Sequence, residues 1–176
     1  MPQSALYAGS FDPITNGHTD LIKRSLQFVD HLVVAVAVNV QKESLFTTEE
    51  RESLIKAALD NDPRVDVRSF HGLLVEFALS LNVPVLIRGL RAVSDYEYEY
   101  QMALMNRHLA PTMETVFMVP SLDTTYISSS LVREVAKFGG DISNLVHPAV
   151  AKALREKYGK GGGVRGIGEG GGVKVE

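Results

Sequence analysis

The sequence predicts an α/β protein: one domain with a doubly wound, five-stranded parallel sheet and helices on both faces. Three observations predict it. Short, apolar, β-branched segments recur along the chain, as expected of strands covered on both faces. Between them lie segments with apolar residues at helical spacing. At 176 residues and 45% hydrophobic content, the chain can bury one full core and is short for two. Strict alternation of this kind implies a parallel sheet with right-handed crossovers.

Each element carries its own signal. Ala5-Leu6-Tyr7-Ala8 is the first apolar run, and Leu21, Ile22, Leu26 and Val29 give the helix after it one apolar face. Residues 32–38, Leu-Val-Val-Ala-Val-Ala-Val, read as a buried strand. Thr47 and Glu50 have capping-box spacing ahead of a helix whose apolar face is Leu54, Ile55, Ala58 and Leu59. A strand over 65–70, a helix with Val75, Ala78 and Leu79, and a strand over 83–87 follow. Ser94 and Glu97 repeat the capping spacing before a helix with Tyr98, Met102, Met105 and Leu109 on one side. After a strand over 115–119, a serine-rich start at 127–133 opens another helix. Pro148 suits the first turn of a last one running to Tyr158. From Gly159 the chain is glycine-rich and too poor in large apolar side chains to offset its ordering entropy. Residues 1–158 are therefore expected to form the domain and 159–176 a mobile tail.

Composition removes several functional classes. With 18 Lys and Arg against 21 Asp and Glu, no general attraction to polyanions is implied, and no basic run marks a nucleic-acid surface. The absence of cysteine removes disulfides, thiolate catalysis and zinc-thiolate sites. His31, His71 and His108 lack metal-ligand spacing, so no protein metal site is expected. The start, Met1-Pro2-Gln3-Ser4, has neither the basic nor the apolar region of a signal peptide, and no apolar run reaches membrane-span length. The expectation is a soluble, cytoplasmic protein.

The chemistry-bearing residues cluster after strands. Gly9, Ser10 and His18 follow the first, Lys42 the second, and His71 to Leu74 the third. Arg88-Gly89-Leu90-Arg91 follows the fourth and residues 124–130 the fifth. In an open parallel sheet, ligands bind beyond the carboxyl ends of the strands, so all five groups are expected at one rim. His18 stands at a helix mouth, where backbone N–H groups and the helix dipole already favour an anion. Ser128, Ser129 and Ser130 form a second such mouth, with helix capping as the plainer alternative. Gly9 reads as a place where backbone approaches a ligand closely. Arg88 ends an apolar strand, where an unpaired cation would be costly. Two phosphate-friendly helix mouths point to chemistry on a nucleotide.

Three stretches carry a resemblance. Gly-Ser-Phe-Asp-Pro-Ile-Thr-Asn-Gly-His at 9–18 and Ile-Ser-Ser-Ser-Leu-Val-Arg at 127–133 resemble the nucleotidyltransferase group of the Rossmann-like superfamily. Ile-Arg-Gly-Leu-Arg at 87–91, continuing through Asp95-Tyr96-Glu97-Tyr98-Glu99, resembles the phosphopantetheine adenylyltransferases in particular. The resemblance runs from about residue 5 to about residue 158. It implies transfer of the adenylyl group of ATP to 4′-phosphopantetheine, giving dephospho-coenzyme A and pyrophosphate, with Mg²⁺ carried by ATP. It also implies that His18, Lys42 and Arg88 are catalytic. ATP would lie against Gly9, Ser10, Phe11 and His18, then Gly89, Leu90, Arg91 and Glu99. Thr124, Thr125, Tyr126, Ile127, Ser128, Ser129 and Ser130 would complete its site. Ser10, Lys42, Leu74 and Arg88 would hold phosphopantetheine. Ser10 stands where threonine is frequent in that family, which keeps the hydroxyl. The resemblance further implies a homohexamer, and the Tyr- and Met-rich segment 96–105 has more large apolar surface than one core face needs. Two rivals remain at this point: another nucleotidyltransferase using CTP or a pyridine nucleotide, and a non-catalytic nucleotide sensor on the same fold.

Overall fold

The computed structural model describes residues 3–38, 43–91 and 93–159, without the side chains of 93–95. Lys42 and residues 160–176, which make up nearly all of the expected tail, lie outside them. The elements run β1 (Ser4–Gly9), α1 (Asn16–Ser25), β2 (His31–Ala37), α2 (Thr48–Ala58), β3 (Val65–Phe70) and α3 (Leu74–Ser80). They continue with β4 (Val85–Gly89), α4 (Val93–Leu109), β5 (Glu114–Met118), α5 (Ser129–Lys137) and α6 (Pro148–Tyr158).

All strand pairings are parallel, in the order β3-β2-β1-β4-β5. Ala5 on β1 lies opposite Leu32 of β2 on one side and Val85 of β4 on the other. The chain therefore proceeds outward from β1 in one direction and from β4 in the other. The loops part above β1 and β4, which opens a crevice at their carboxyl ends.

Alternation along the strands divides the core in two. Ala5, Tyr7, Leu32, Val34 and Val36 pack with residues of α1, α2, α5 and α6. Leu6, Ala8, Val33 and Ala35 pack with Val75 and Ala78 of α3 and with Ala110 and Met113 after α4. Both faces of the central strands are covered, which is why their sequences read as unbroken apolar runs.

Several boundaries differ from expectation for local reasons. β4 spans 85–89 rather than 83–87, because pairing with β5 carries it through Arg88 opposite Phe117 and Gly89 opposite Met118. α1 ends at Ser25, yet Leu26 and Val29 beyond it remain buried. The Thr47–Glu50 capping box forms as expected: Glu50 N–H donates to Thr47 Oγ1 at 3.2 Å and Thr47 N–H to Glu50 Oε2 at 2.8 Å. α4 instead begins at Val93, which leaves Ser94 inside its first turn rather than at its cap. Leu79 is exposed, so α3 buries only Val75 and Ala78. The expected apolar stripe of α4 is exposed too, with Tyr98 at 63% and Met105 at 52%. The described chain leaves that face uncovered.

Candidate active site

The crevice above β1 and β4 holds a cavity of about 320 Å³. Gly9 and Ser10 enter it at the end of β1, His18 from α1, Arg88 and Gly89 from β4 with Arg91 just beyond it, and Glu99 from α4. Thr124, Ile127 and Ser128 from the loop before α5, with Ser129 and Ser130 from its first turn, close it. His18 and the serine triplet, 110 residues apart in sequence, thus face one space. A smaller cavity of about 80 Å³ adjoins it, lined by Leu74, Arg88, Tyr98, Glu99, Asn106 and others, so Arg88 and Glu99 belong to both.

The loop after β1 is shaped by its aromatic ring. Phe11 adopts a left-handed φ of 46°, a conformation costing about 1–2 kcal/mol for a bulky residue, and is held there by packing. Its ring, 1% exposed, meets Tyr7 edge-on at 5.6 Å and His18 at 5.1 Å. Gly9 makes this possible: a Cβ there would come within 3.1 Å of the Phe11 ring. Its expected role in ligand approach is therefore at least shared with packing, and Phe11 stands behind His18 rather than lining the cavity. Gly17 serves a similar purpose, since a Cβ would meet the Thr124 carbonyl at 3.3 Å and push the β5 loop away.

His18 has a fixed tautomer. The backbone N–H of Thr15, the N-cap of α1, donates to His18 Nδ1 at 3.0 Å, and Thr15 Oγ1 lies 3.0 Å from the same nitrogen. Nδ1 is thus an acceptor, which leaves the proton on Nε2. Burial, aided by the nearby Arg91 charge, lowers the imidazole pKa to about 4. At neutral pH the ring is an uncharged Nε2–H donor. Burial also pushes the Tyr7 phenol up to about 12, which keeps it neutral.

Arg88 is not an isolated cation. Its Nε and Nη2 donate to the two Glu99 carboxylate oxygens at 2.7 and 2.5 Å, and Nη1 donates to the Ala8 carbonyl at 3.0 Å. Burial works against its charge, but Glu99 outweighs this and raises the guanidinium pKa. Of five N–H donors, three are occupied, leaving one on each terminal nitrogen. Glu99, expected as an ATP contact, is in the first place the group that orients Arg88.

The serine triplet divides its work. Ser128 Oγ accepts from Leu131 N–H at 3.1 Å and caps α5, the plainer of its two expected roles. Ser129 Oγ donates to the Pro13 carbonyl at 2.8 Å. Ser130 Oγ accepts from Arg133 Nη2 at 3.4 Å, so all three hydroxyls have protein partners, and any anion at this mouth meets the free N–H groups of the first turn. Leu90, Thr125 and Tyr126 do not line the cavity. Leu90 N–H pairs with Met118, Thr125 Oγ1 donates to the Arg91 carbonyl, and Tyr126 is 60% exposed.

Asp12 is a residue that the motif pattern contained without revealing its task. Its carboxylate accepts from the N–H groups of Leu45 and Phe46, both at 2.9 Å, tying the β1 loop to the segment before α2. Arg133 pairs with the same carboxylate at 3.4 Å and also donates to the Asp12 carbonyl. The place of Asp12 between an aromatic residue and a proline inside the 9–18 motif was the only signal the sequence held.

A sequence profile of the cytidylyltransferase-like family matches residues 6–135. The chain is 52% identical over 160 residues to the phosphopantetheine adenylyltransferase of Anaeromyxobacter dehalogenans strain 2CP-C, covering 91% of this chain and 98% of that one. The enzyme of the same name from Anaeromyxobacter sp. strain K matches to the same extent. The chain belongs to the phosphopantetheine adenylyltransferase family. Among solved structures, a candidate nicotinate-nucleotide adenylyltransferase from Vibrio parahaemolyticus superimposes with a TM-score of 0.65 at 15% identity, covering 89% of this chain and 93% of that one. A lipopolysaccharide core biosynthesis protein from Thermoplasma volcanium gives 0.52 at 22% identity, covering 69% and 99% respectively. Both share the nucleotidyltransferase fold of this phosphopantetheine adenylyltransferase family member.

Proposed function

We propose that the chain transfers the adenylyl group of ATP to 4′-phosphopantetheine, releasing pyrophosphate. The observation carrying this reading is the single cavity onto which His18, Arg88, Arg91 and the α5 N-terminus converge. The acceptor phosphate is already an anion, so attack on the α-phosphorus needs no protein base and no covalent enzyme intermediate. One acceptor oxygen forms a bond to that phosphorus while the bond to the pyrophosphate oxygen breaks. The protein's task is to bring two polyanions into line and to stabilise charge on the equatorial oxygens.

The geometry supports the following roles. The Nε2–H of His18 donates to the α-phosphate without adding a proton to compete with the chemistry. The two open donors of Arg88 hold the acceptor phosphate, while Leu74 in the adjoining cavity contacts the pantetheine arm. Lys42 and Ser10 are assigned to the same acceptor by family resemblance. Arg91 and the first N–H groups of α5 meet the leaving pyrophosphate. Among the described residues no group of three or more His, Asp or Glu could hold a metal. Mg²⁺ carried with ATP would supply charge neutralisation on the triphosphate.

A nucleotide and acceptor screen tests this against the rival transferases. ATP with 4′-phosphopantetheine is expected to turn over at least 10²-fold faster than CTP with the same acceptor, or than ATP with nicotinate mononucleotide. This is the margin a site built to hydrogen-bond one base and one acceptor can reach. Preference for CTP or for the mononucleotide would overturn the assignment. A chain that binds ATP and releases nothing would be a sensor instead.

Assembly and location belong to the same reading. The exposed tyrosines, methionines and leucines of α4 support self-association, and the family resemblance sets the expected state at a homohexamer. Light scattering at micromolar concentration is expected to give six times the chain mass, and a stable monomer would contradict it. No helix among the described residues is long and apolar enough to cross a membrane, and a cytoplasmic location is proposed with the function.

A further inference from the structure

Arg51, on α2, is the one Lys or Arg among the described residues that is fully buried, at 4% exposure. Its guanidinium donates to the Ser10 carbonyl at 2.9 Å, the Ala37 carbonyl at 3.2 Å, Thr48 Oγ1 at 3.2 Å and the Thr47 carbonyl at 3.4 Å. Its ion-pair partners among the described residues are nil, and Glu49 senses its charge without reaching it. Burying a cation against neutral oxygens alone is costly, and a well-packed apolar side chain would serve stability better. The missing counter-charge therefore needs a source.

The position of Arg51 supplies one. It bridges the carboxyl ends of β1 and β2 directly behind Ser10, which is exposed and lines the site cavity. Arg51 itself does not line it. Three side chains from distant elements hold three carbonyls of this loop: Arg51 on Ser10, Arg133 on Asp12, and Ser129 on Pro13. A carbonyl held from behind cannot turn its negative end toward a bound anion. Arg133 is matched by the Asp12 carboxylate and Ser129 is neutral, so Arg51 alone of the three brings uncompensated charge.

We propose that Arg51 is a positioning residue for the acceptor phosphate, fixing the Ser10 peptide and furnishing from behind the loop a positive charge whose counter-ion is the bound substrate. The proposal rests on the adenylyl-transfer reading and adds a residue to it. Ser10 is assigned to both substrates, but Lys42 of the acceptor set follows β2 in sequence, the strand whose end Arg51 also holds at Ala37, whereas most residues assigned to ATP, 89–91 and 124–130, lie at or after the ends of β4 and β5. The effect of Arg51 falls mainly on the acceptor.

Calorimetric titration of the full chain with 4′-phosphopantetheine and, separately, with ATP tests it, using Arg51→Met and Arg51→Lys beside the wild type. Arg51→Met is expected to weaken phosphopantetheine binding by roughly 10- to 100-fold and ATP binding by less than about 3-fold. Arg51→Lys keeps the charge but loses the fork, and is expected to fall between. A merely structural role would lower the fraction of binding-competent protein, and hence the stoichiometry, leaving both dissociation constants unchanged. That result overturns the proposal, as does equal weakening for both ligands. If Arg51→Met does not fold, Arg51→Lys decides alone: an acceptor affinity equal to wild type overturns it. A wild-type chain that binds no phosphopantetheine overturns the functional reading and this proposal together. Wild-type binding that Arg51→Met retains overturns this proposal only.

Discussion

His18→Ala is expected to fold and to lose about 10²- to 10³-fold in kcat, the usual effect of deleting one donor aimed at developing charge. The expectation follows from the Thr15 N–H bond to Nδ1, which fixes the proton on Nε2. Removing the ring takes that donor away without disturbing the sheet, and the unpaired Thr15 N–H costs about 1 kcal/mol. Single-turnover pyrophosphate release, beside urea unfolding, separates the two effects. Near-normal turnover in a folded variant would refute the role given to His18.

The same residue predicts a pH dependence. Its folded pKa, about 4, lies below the ordinary histidine value of 6.5, because burial disfavours the imidazolium. The unfolded chain thus binds the proton first as pH falls. The stability contributed by neutral His18 is fully present above about pH 6.5, is lost progressively between 6.5 and 4, and is absent below. Protonation would also set an Nδ1–H against the Thr15 N–H. The acid limb of kcat/KM attributable to His18, which reports the substrate-free protein, should fall near pH 4 and be missing from His18→Ala. A limb near 6.5 that disappears in the variant would show the imidazole is not buried as described.

Arg88→Met is expected to reduce kcat/KM for phosphopantetheine by 10²-fold or more, since it removes the donors that fix the acceptor. It also leaves Glu99 without its bidentate partner, 13% exposed, beside a site for two polyanions. The stability loss should be about 1–3 kcal/mol, toward the lower end because the pair is partly solvated. Adding Glu99→Gln to Arg88→Met is expected to restore most of that stability and none of the activity. Glu99→Gln alone keeps the cation but frees its orientation, so its effect should fall chiefly on KM for the acceptor. Recovery of turnover in the double variant would mean that Arg88 serves only to neutralise Glu99.

The contrast between Arg88 and Arg51 shows what the sequence could and could not disclose. Arg88 ends an apolar run, an unusual place for a cation, so local context alone marked it. Its pairing with Glu99 across 11 positions depended on how α4 packs over β4, which no local pattern specifies. Arg51 sits in a charged helix segment, Thr-Glu-Glu-Arg-Glu, where the default is a solvated face, and only tertiary packing turns it inward. The central strands β1 and β2 were legible because both faces are buried and their runs are almost wholly apolar, whereas the edge strand β3 carries Asp66, Arg68 and Ser69. The α4 segment read as carrying more large apolar surface than one core face needs, and the described chain leaves that surface exposed, but apolar periodicity does not say what covers it. The serine run was visible as a helix start, yet hydroxyl chemistry could not reveal that Ser128 and Ser129 spend their side chains on Leu131 and Pro13. Lys42 lies outside the described residues, and its role stands on family resemblance.

The most direct measurement is pyrophosphate release by purified wild-type chain given ATP and Mg²⁺, with and without 4′-phosphopantetheine. The account predicts release stoichiometric with dephospho-coenzyme A, at least 10²-fold faster with the acceptor present than without it, because in-line attack needs both anions in the one cavity. Release at the same rate from ATP alone, or none with both substrates present, would contradict it.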